Sequence, residues 1–175
     1  MQKTSWRIWK MPETQEIVIN TSPIIALVAA TGNLSVLQIY RKVWVPLEVR
    51  QEIAAGGAVQ FALAEFDAAH WLEKDAQPLH IATHLLNTLD TGEAAVIQLA
   101  LDHGVQTVVI DEAAGRRIAR LNGLTVTGSM GVLLRAKREG YQFSMLEAID
   151  RMRARGIWLS DRVVAFALMQ AGETH

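Results

Sequence analysis

Short runs of β-branched residues alternate with stretches of helical composition through most of this chain, and that alternation constrains the fold more than any other feature. Ile17-Val18-Ile19 stops at Asn20-Thr21-Ser22-Pro23, Val43-Trp44-Val45 stops at Pro46, and the valine-rich run Gln106 to Ile110 stops at Asp111. Helices between strands predict a mostly parallel sheet covered on both faces, because a parallel neighbour is reached only by a crossover. Such sheets bind ligands in the crevice beyond the carboxyl ends of their strands. Four polar or acidic residues occupy stations of that kind, at strand ends or in helices: Asn20, Glu52, Glu93 and Asp111.

The elements follow from punctuation. Ser22 is expected as N-cap and Pro23 as the first residue of a buried helix through Ala30. Leu34 to Tyr40 reads as a second short helix, and Pro46 opens a helix to Ala54 that Gly56-Gly57 breaks. Ala58 to Ala69 is helical by composition, Trp71-Leu72 reads as a short strand, and Ile81 to Asn87 is ambiguous. Gly92 to His103 reads as an amphipathic helix ended by Gly104; Glu112 to Asn122 is a helix closed by Gly123, and Leu124 to Thr127 is a strand. Helices are expected over Ser129 to Glu139, Ser144 to Arg155 and Asp161 to Ala171, with Ser129 as a cap.

Half of the 175 residues are apolar, enough for the core of one domain, read here as residues 17–175 behind an N-terminal extension over 1–16. The opening segment mixes Lys3, Arg7 and Lys10 with Trp6 and Trp9 and lacks the apolar core of a signal peptide. The longest apolar run, Ile24 to Ala30, is too short to span a bilayer, so no membrane role is expected. The absence of cysteine removes disulfides, thiolate metal sites and a cysteine nucleophile, and suits a cytoplasmic protein. A net charge of -1 argues against nonspecific coating of nucleic acid but permits a local basic face.

Four segments carry a resemblance: Ile19-Asn20-Thr21-Ser22-Pro23-Ile24-Ile25-Ala26-Leu27, Val45-Pro46-Leu47-Glu48-Val49-Arg50-Gln51-Glu52-Ile53, Leu89-Asp90-Thr91-Gly92-Glu93-Ala94-Ala95, and Ile110-Asp111-Glu112-Ala113-Ala114-Gly115-Arg116-Arg117. In this order and spacing, from about Val18 to about Ser160, the chain resembles a PIN-domain protein. More narrowly it resembles the small prokaryotic PIN-like subfamily related to VapC toxins, whose first strand ends in Asn/Asp-Thr-Ser-Pro. The resemblance implies an α/β three-layer sandwich and a metal-dependent ribonuclease, a hydrolase in which Asn20, Glu52, Glu93 and Asp111 bind Mg²⁺ or Mn²⁺. Hard divalent ions take oxygen ligands, and carboxylates held together favour metal capture. It also implies a small antitoxin partner, a homodimer and an RNA substrate.

One departure is plain: Asn20 stands where a competent PIN nuclease has aspartate, so the site carries three acids rather than four. Local explanations exist for each residue. Asp90 and Glu93 have capping-box spacing, Asp111 suits a cap of the helix after its strand, Glu52 suits a solvated helix face, and Asn20 suits a turn. Glu112, next to Asp111, is a candidate for a compensating carboxylate, but it is expected to face solvent in its first helical turn. Between Ala113 and Arg138 the chain carries Arg116, Arg117, Arg120, Arg135, Lys137 and Arg138 with no acid, and Arg116 and Arg117 are the expected phosphate contacts. Arg151, Arg153 and Arg155, diluted by Asp150, are expected on a peripheral helix. The alternative to the nuclease is a PIN-like module with impaired catalysis that binds nucleic acid or a protein partner, and Asn20 favours it. His80 and His84 have helical metal spacing without a third ligand, and no glycine-rich phosphate loop is present.

Overall fold

The computed structural model describes residues 16–56 and 60–173. The tryptophan-bearing opening therefore lies outside the described residues, as do residues 57–59 and 174–175. Five parallel strands, β1 (Glu16–Ile19), β2 (Lys42–Val45), β3 (Glu73–Lys74), β4 (Thr107–Val109) and β5 (Thr125–Thr127), form one sheet in the order β3-β2-β1-β4-β5. Nine α-helices flank it among the described residues: α1 (Thr21–Thr31), α2 (Leu47–Ala55), α3 (Leu63–Ala68), α4 (Thr83–Leu86), α5 (Thr91–His103), α6 (Ala113–Leu121), α7 (Ser129–Arg138), α8 (Met145–Ala154) and α9 (Asp161–Ala171). The expected α/β sandwich is what the chain forms.

β1 is central because both of its faces are covered: Ile17, Val18 and Ile19 are fully buried, pairing with β2 on one side and β4 on the other. A continuous apolar run without polar alternation is what such a strand requires. Helix α1 is buried on nearly every side, with Ile24 and Leu27 inaccessible to solvent and α7 and α8 packed on it. Full burial of each such side chain stabilises the fold by about 1.5–3 kcal/mol. Helix α5 lies against β1 and β4, with α2, α4 and α6 around it.

Helix ends explain several differences from the sequence reading. Asn20, not Ser22, is the N-cap residue of α1, which places Pro23 inside the first turn, where its missing N–H has no intrahelical partner to lose. Leu34 to Tyr40 forms a 3-10 helix over Ser35–Ile39 rather than an α-helix. Trp71-Leu72 is not a strand; the pairing with β2 falls two residues later, at Glu73–Lys74. Helix α3 begins at Leu63, later than expected, because Gln60 and Ala62 adopt positive φ and turn the chain; the earlier part of that expectation falls on residues 57–59. The ambiguous stretch holds α4. Gly104, at φ 65, ends α5 in the left-handed conformation that glycine accepts without strain.

The basic helix α8 is not peripheral. Arg151 Nε donates to the Ala30 carbonyl at 2.8 Å, and the Arg155 guanidinium lies 3.8 Å from the centre of the Phe61 ring. Glu173 clamps the start of α8, accepting from the N–H groups of Met145 and Leu146 and from Lys137 Nζ at 2.7 Å. Burial alone would raise its carboxyl, but the Lys137 ammonium and these N–H donors outweigh it and bring the pKa to about 2.

Candidate active site

The sheet order locates the site. After β1 the chain builds outward through β2 and β3, then returns to place β4 on the other side of β1, so the winding reverses between β1 and β4. Helices leaving the two strands diverge there and leave a crevice at their carboxyl ends. Asn20 ends β1 and Asp111-Glu112 follow β4, and the Asn20 N–H donates to the Val109 carbonyl at 3.0 Å, joining the two rims.

Three consecutive residues after β1 face this crevice, each with a different assignment. Asn20 is 3% exposed, and its Oδ1 is buried without a hydrogen-bond donor. The Thr21 hydroxyl donates to Glu52 Oε2 at 2.5 Å. The Ser22 hydroxyl donates to Glu112 Oε1. Leaving a buried acceptor unsatisfied costs about 1–3 kcal/mol, which makes Asn20 Oδ1 an oxygen waiting for a partner.

Each carboxylate rests on a glycine of a neighbouring element. A Cβ on Gly92 would lie 2.5 and 2.6 Å from the two Glu52 oxygens, one on Gly115 would lie 2.6 Å from Glu93 Oε1, and one on Gly128 would lie 2.6 Å from Asp111 Oδ1. Only a residue without a side chain permits these approaches. Glu93 is buried, at 5% exposure, with Oε1 lacking a donor. Its backbone N–H is capped by Asp90 Oδ1 at 2.8 Å, so the capping reading holds for Asp90 while the Glu93 side chain turns inward.

Two expectations about the β4 end are corrected. Asp111 does not cap the helix after its strand: Glu112 is the N-cap residue of α6, and Asp111 Oδ1 accepts the Ser129 N–H at 2.8 Å, at the start of α7. Gly128 is accordingly the N-cap residue of α7, and Ser129 is its first helical residue. Glu112 does not point freely to solvent; it is half-buried, held by Ser22, with Oε2 buried and unpartnered. Two adjacent acids at a strand end send their side chains to different sides of the turn, which was the signal available in the sequence.

Burial raises the Glu93 carboxyl, Asp90 and then Glu112 raise it further, and the backbone N–H groups of Asp90 and Gly115 oppose the rise. Burial raises Glu52, the Thr21 hydroxyl opposes it, and Asp90 and Glu112 add to the rise. Asp111 is open to water yet walled by protein in its cleft; that surrounding mass raises its carboxyl, the Ser129 donors oppose it, and Glu112 adds to it. Glu112 is thus the charge felt by all three acids, and Glu52 and Glu93 share the repulsion of Asp90. Of the sequence-predicted ligands, Glu52 and Glu93 share Asp90 and Glu112 as charged neighbours, Asn20 is buried at the end of β1, and Asp111 Oδ1 accepts from Ser129 of α7. Among the described residues no three acids approach closely enough to hold a metal ion in this arrangement.

The donors fit a hard divalent ion in kind. Asn20 Oδ1, Glu93 Oε1 and Glu112 Oε2 are buried oxygens without donors, beside carboxyls that repel one another. A cleft of ≈ 690 Å³ opens beside them, lined by Asp111, Glu112 and Arg116 and reaching Trp158. Arg116 lines it while donating Nη1 to the Ile110 carbonyl at 2.9 Å; Arg117 is exposed on α6. Among the described residues no helix is long and apolar enough to cross a membrane.

Residues 16–173 match a family model described as PIN domain. No curated protein and no solved structure matches the chain significantly.

Proposed function

The chain belongs to the PIN-domain family, and from that premise we propose that it is a divalent-metal-dependent ribonuclease of the VapC-like type that hydrolyses RNA phosphodiesters. The observation that carries this reading is the set of buried oxygens without donors at the strand-order reversal, Asn20 Oδ1 and Glu93 Oε1 foremost. Native proteins satisfy buried polar atoms, so such atoms at the mouth of a sheet point to a ligand.

Asn20, Glu52, Glu93 and Asp111 would hold Mg²⁺ or Mn²⁺, with Glu112 beside them. A bound ion supplies charge for the phosphate under attack and lowers the pKa of a water. Thr21 and Ser22 hold the Glu52 and Glu112 carboxylates in place. Arg116 and Arg117 contact phosphates as the backbone passes the cleft. A small antitoxin, self-association as a homodimer and a cytoplasmic location belong to the same proposal.

A second reading is a PIN-like module with impaired catalysis that binds nucleic acid or a protein. It is favoured by Asn20 in place of an acid and by the orientation of Asp111 towards Ser129. Mn²⁺-dependent cleavage of a mixed RNA pool decides between the two, with Glu93→Gln and Asp111→Asn purified in parallel. Cleavage by wild type alone supports the nuclease; equal or absent cleavage in all three supports the binding module.

A further inference from the structure

We propose that Trp158 is a nucleobase platform, so that the cleft beside the carboxylates takes one base of a single-stranded RNA on the indole with its phosphate towards Arg116. The proposal rests on the ribonuclease reading and deepens it by naming the residue that grips the substrate beside the carboxylates.

Trp158 is 83% exposed, the most exposed of the large apolar side chains among the described residues. Tryptophan is highly buried on average, so this one calls for a reason. The indole nonetheless sits in a segment anchored on both sides. Ile157 and Leu159, on either side of it, pack against the core, and the Ile157 N–H donates to the Met152 carbonyl at 3.1 Å. Ser160 then caps α9 through the Val163 N–H at 3.2 Å. With both neighbours anchored inward, the side chain between them is presented outward.

The cleft lined by Trp158 is also lined by Asp111, Glu112 and Arg116, so its apolar and charged ends are one space. Ile25, Met130 and Val163 add apolar surface to it. A nucleobase matches this character, having apolar faces and a polar edge, and every base offers a π-face for stacking. The phosphate side is complementary as well. Arg116, Arg117 and Arg120 form no ion pair among the described residues, and Arg120 crowds Arg116 with like charge. A duplex does not suit the site, because its bases are already stacked on one another.

The test uses the full chain, as wild type, Trp158→Ala and Trp158→Phe, with a dye-labelled single-stranded RNA carrying 2-aminopurine, in Ca²⁺ buffer. Fluorescence anisotropy is expected to show Trp158→Ala weakened by roughly 5- to 150-fold, the range of one stacked base, with Trp158→Phe retaining most of the affinity. Quenching of 2-aminopurine should be lost in Trp158→Ala, and its melting temperature should stay at the wild-type value because the indole is exposed. Wild-type affinity and quenching in Trp158→Ala, or no RNA binding by the wild type, would overturn the proposal. So would an effect of Trp158→Ala confined to self-association in sedimentation, which would assign the indole to contact between copies. If Trp158-dependent binding persists in a protein that cleaves nothing with Mn²⁺, the platform stands and the nuclease reading falls. If the wild type cleaves and Trp158→Ala leaves affinity and KM unchanged, the reverse holds.

Discussion

Asn20 is the one uncharged residue among the four that the family resemblance assigns to the site. Its side chain is buried, its Oδ1 has no donor, and the next two residues, Thr21 and Ser22, hold Glu52 and Glu112. Asn20→Asp adds a charge there with almost no change in volume. Mn²⁺ affinity measured by calorimetry should therefore rise on the order of tenfold or more, since a unit charge beside a divalent ion is worth more than ~1.4 kcal/mol at protein dielectrics. Unchanged affinity would show that Asn20 does not face the ion. Glu93 carries the opposite test. Its folded pKa is raised, so the metal-free native state keeps its proton to higher pH than the unfolded chain does. That contribution to stability is present below the unfolded value near 4.3 and is lost as pH rises through the raised one. Glu93→Gln removes the titration: the metal-free melting temperature at neutral pH should rise, by about 2–4 °C for each kcal/mol relieved, and its fall with increasing pH should flatten. A Glu93→Gln protein with the wild-type pH profile would place the proton elsewhere.

At the scale of elements, glycines set how closely the helices bring their carboxylates to the sheet. Gly115 in α6 receives Glu93 from α5, and a Cβ there would lie 2.6 Å from Glu93 Oε1 and 2.9 Å from Ile110 Cγ2. Gly115→Ala must move the carboxylate, the helix or both. Overpacking of this kind costs about 1–3 kcal/mol, and chemical denaturation should register that loss together with weakened Mn²⁺ binding. Full retention of metal affinity would mean that Glu93 is not a ligand. The capping positions show how far local rules reach. Asp90-Thr91-Gly92-Glu93 is legible as a helix start, and Asp90 does cap α5, but the spacing that predicts the cap is silent on the Glu93 carboxyl, which packing against α6 draws inward. The serine that seemed a cap at position 129 instead donates its backbone N–H to an acid eighteen residues earlier.

Over the whole molecule, a formal charge of -1 coexists with an arginine-rich α6 next to an acidic crevice, so the field is polarised rather than uniform. RNA binding should be salt-sensitive through that helix alone. The slope of log K against log salt is expected to fall by roughly 0.7 in magnitude for each phosphate contact removed from a single strand, so Arg117→Ala should reduce it by about that amount while a substitution on the opposite side of the protein leaves it unchanged. A slope insensitive to Arg117 would move the phosphate path off α6.

The alternation of β-branched runs with helical stretches determined the class of fold, because periodicity and strand-ending residues are local properties that every segment carries with it. Asn20 and Asp111 were legible as strand-end residues for the same reason, whereas Glu52 and Glu93 joined them through the family resemblance. Which of them face one crevice was not legible. The reversal of strand order between β1 and β4, the turn of Asp111 towards α7 and the recruitment of Glu112 by Ser22 depend on contacts between residues far apart in the chain. The outward Trp158 belongs with them, since only the packing of Ile157 and Leu159 against the core decides which way the indole between them must point.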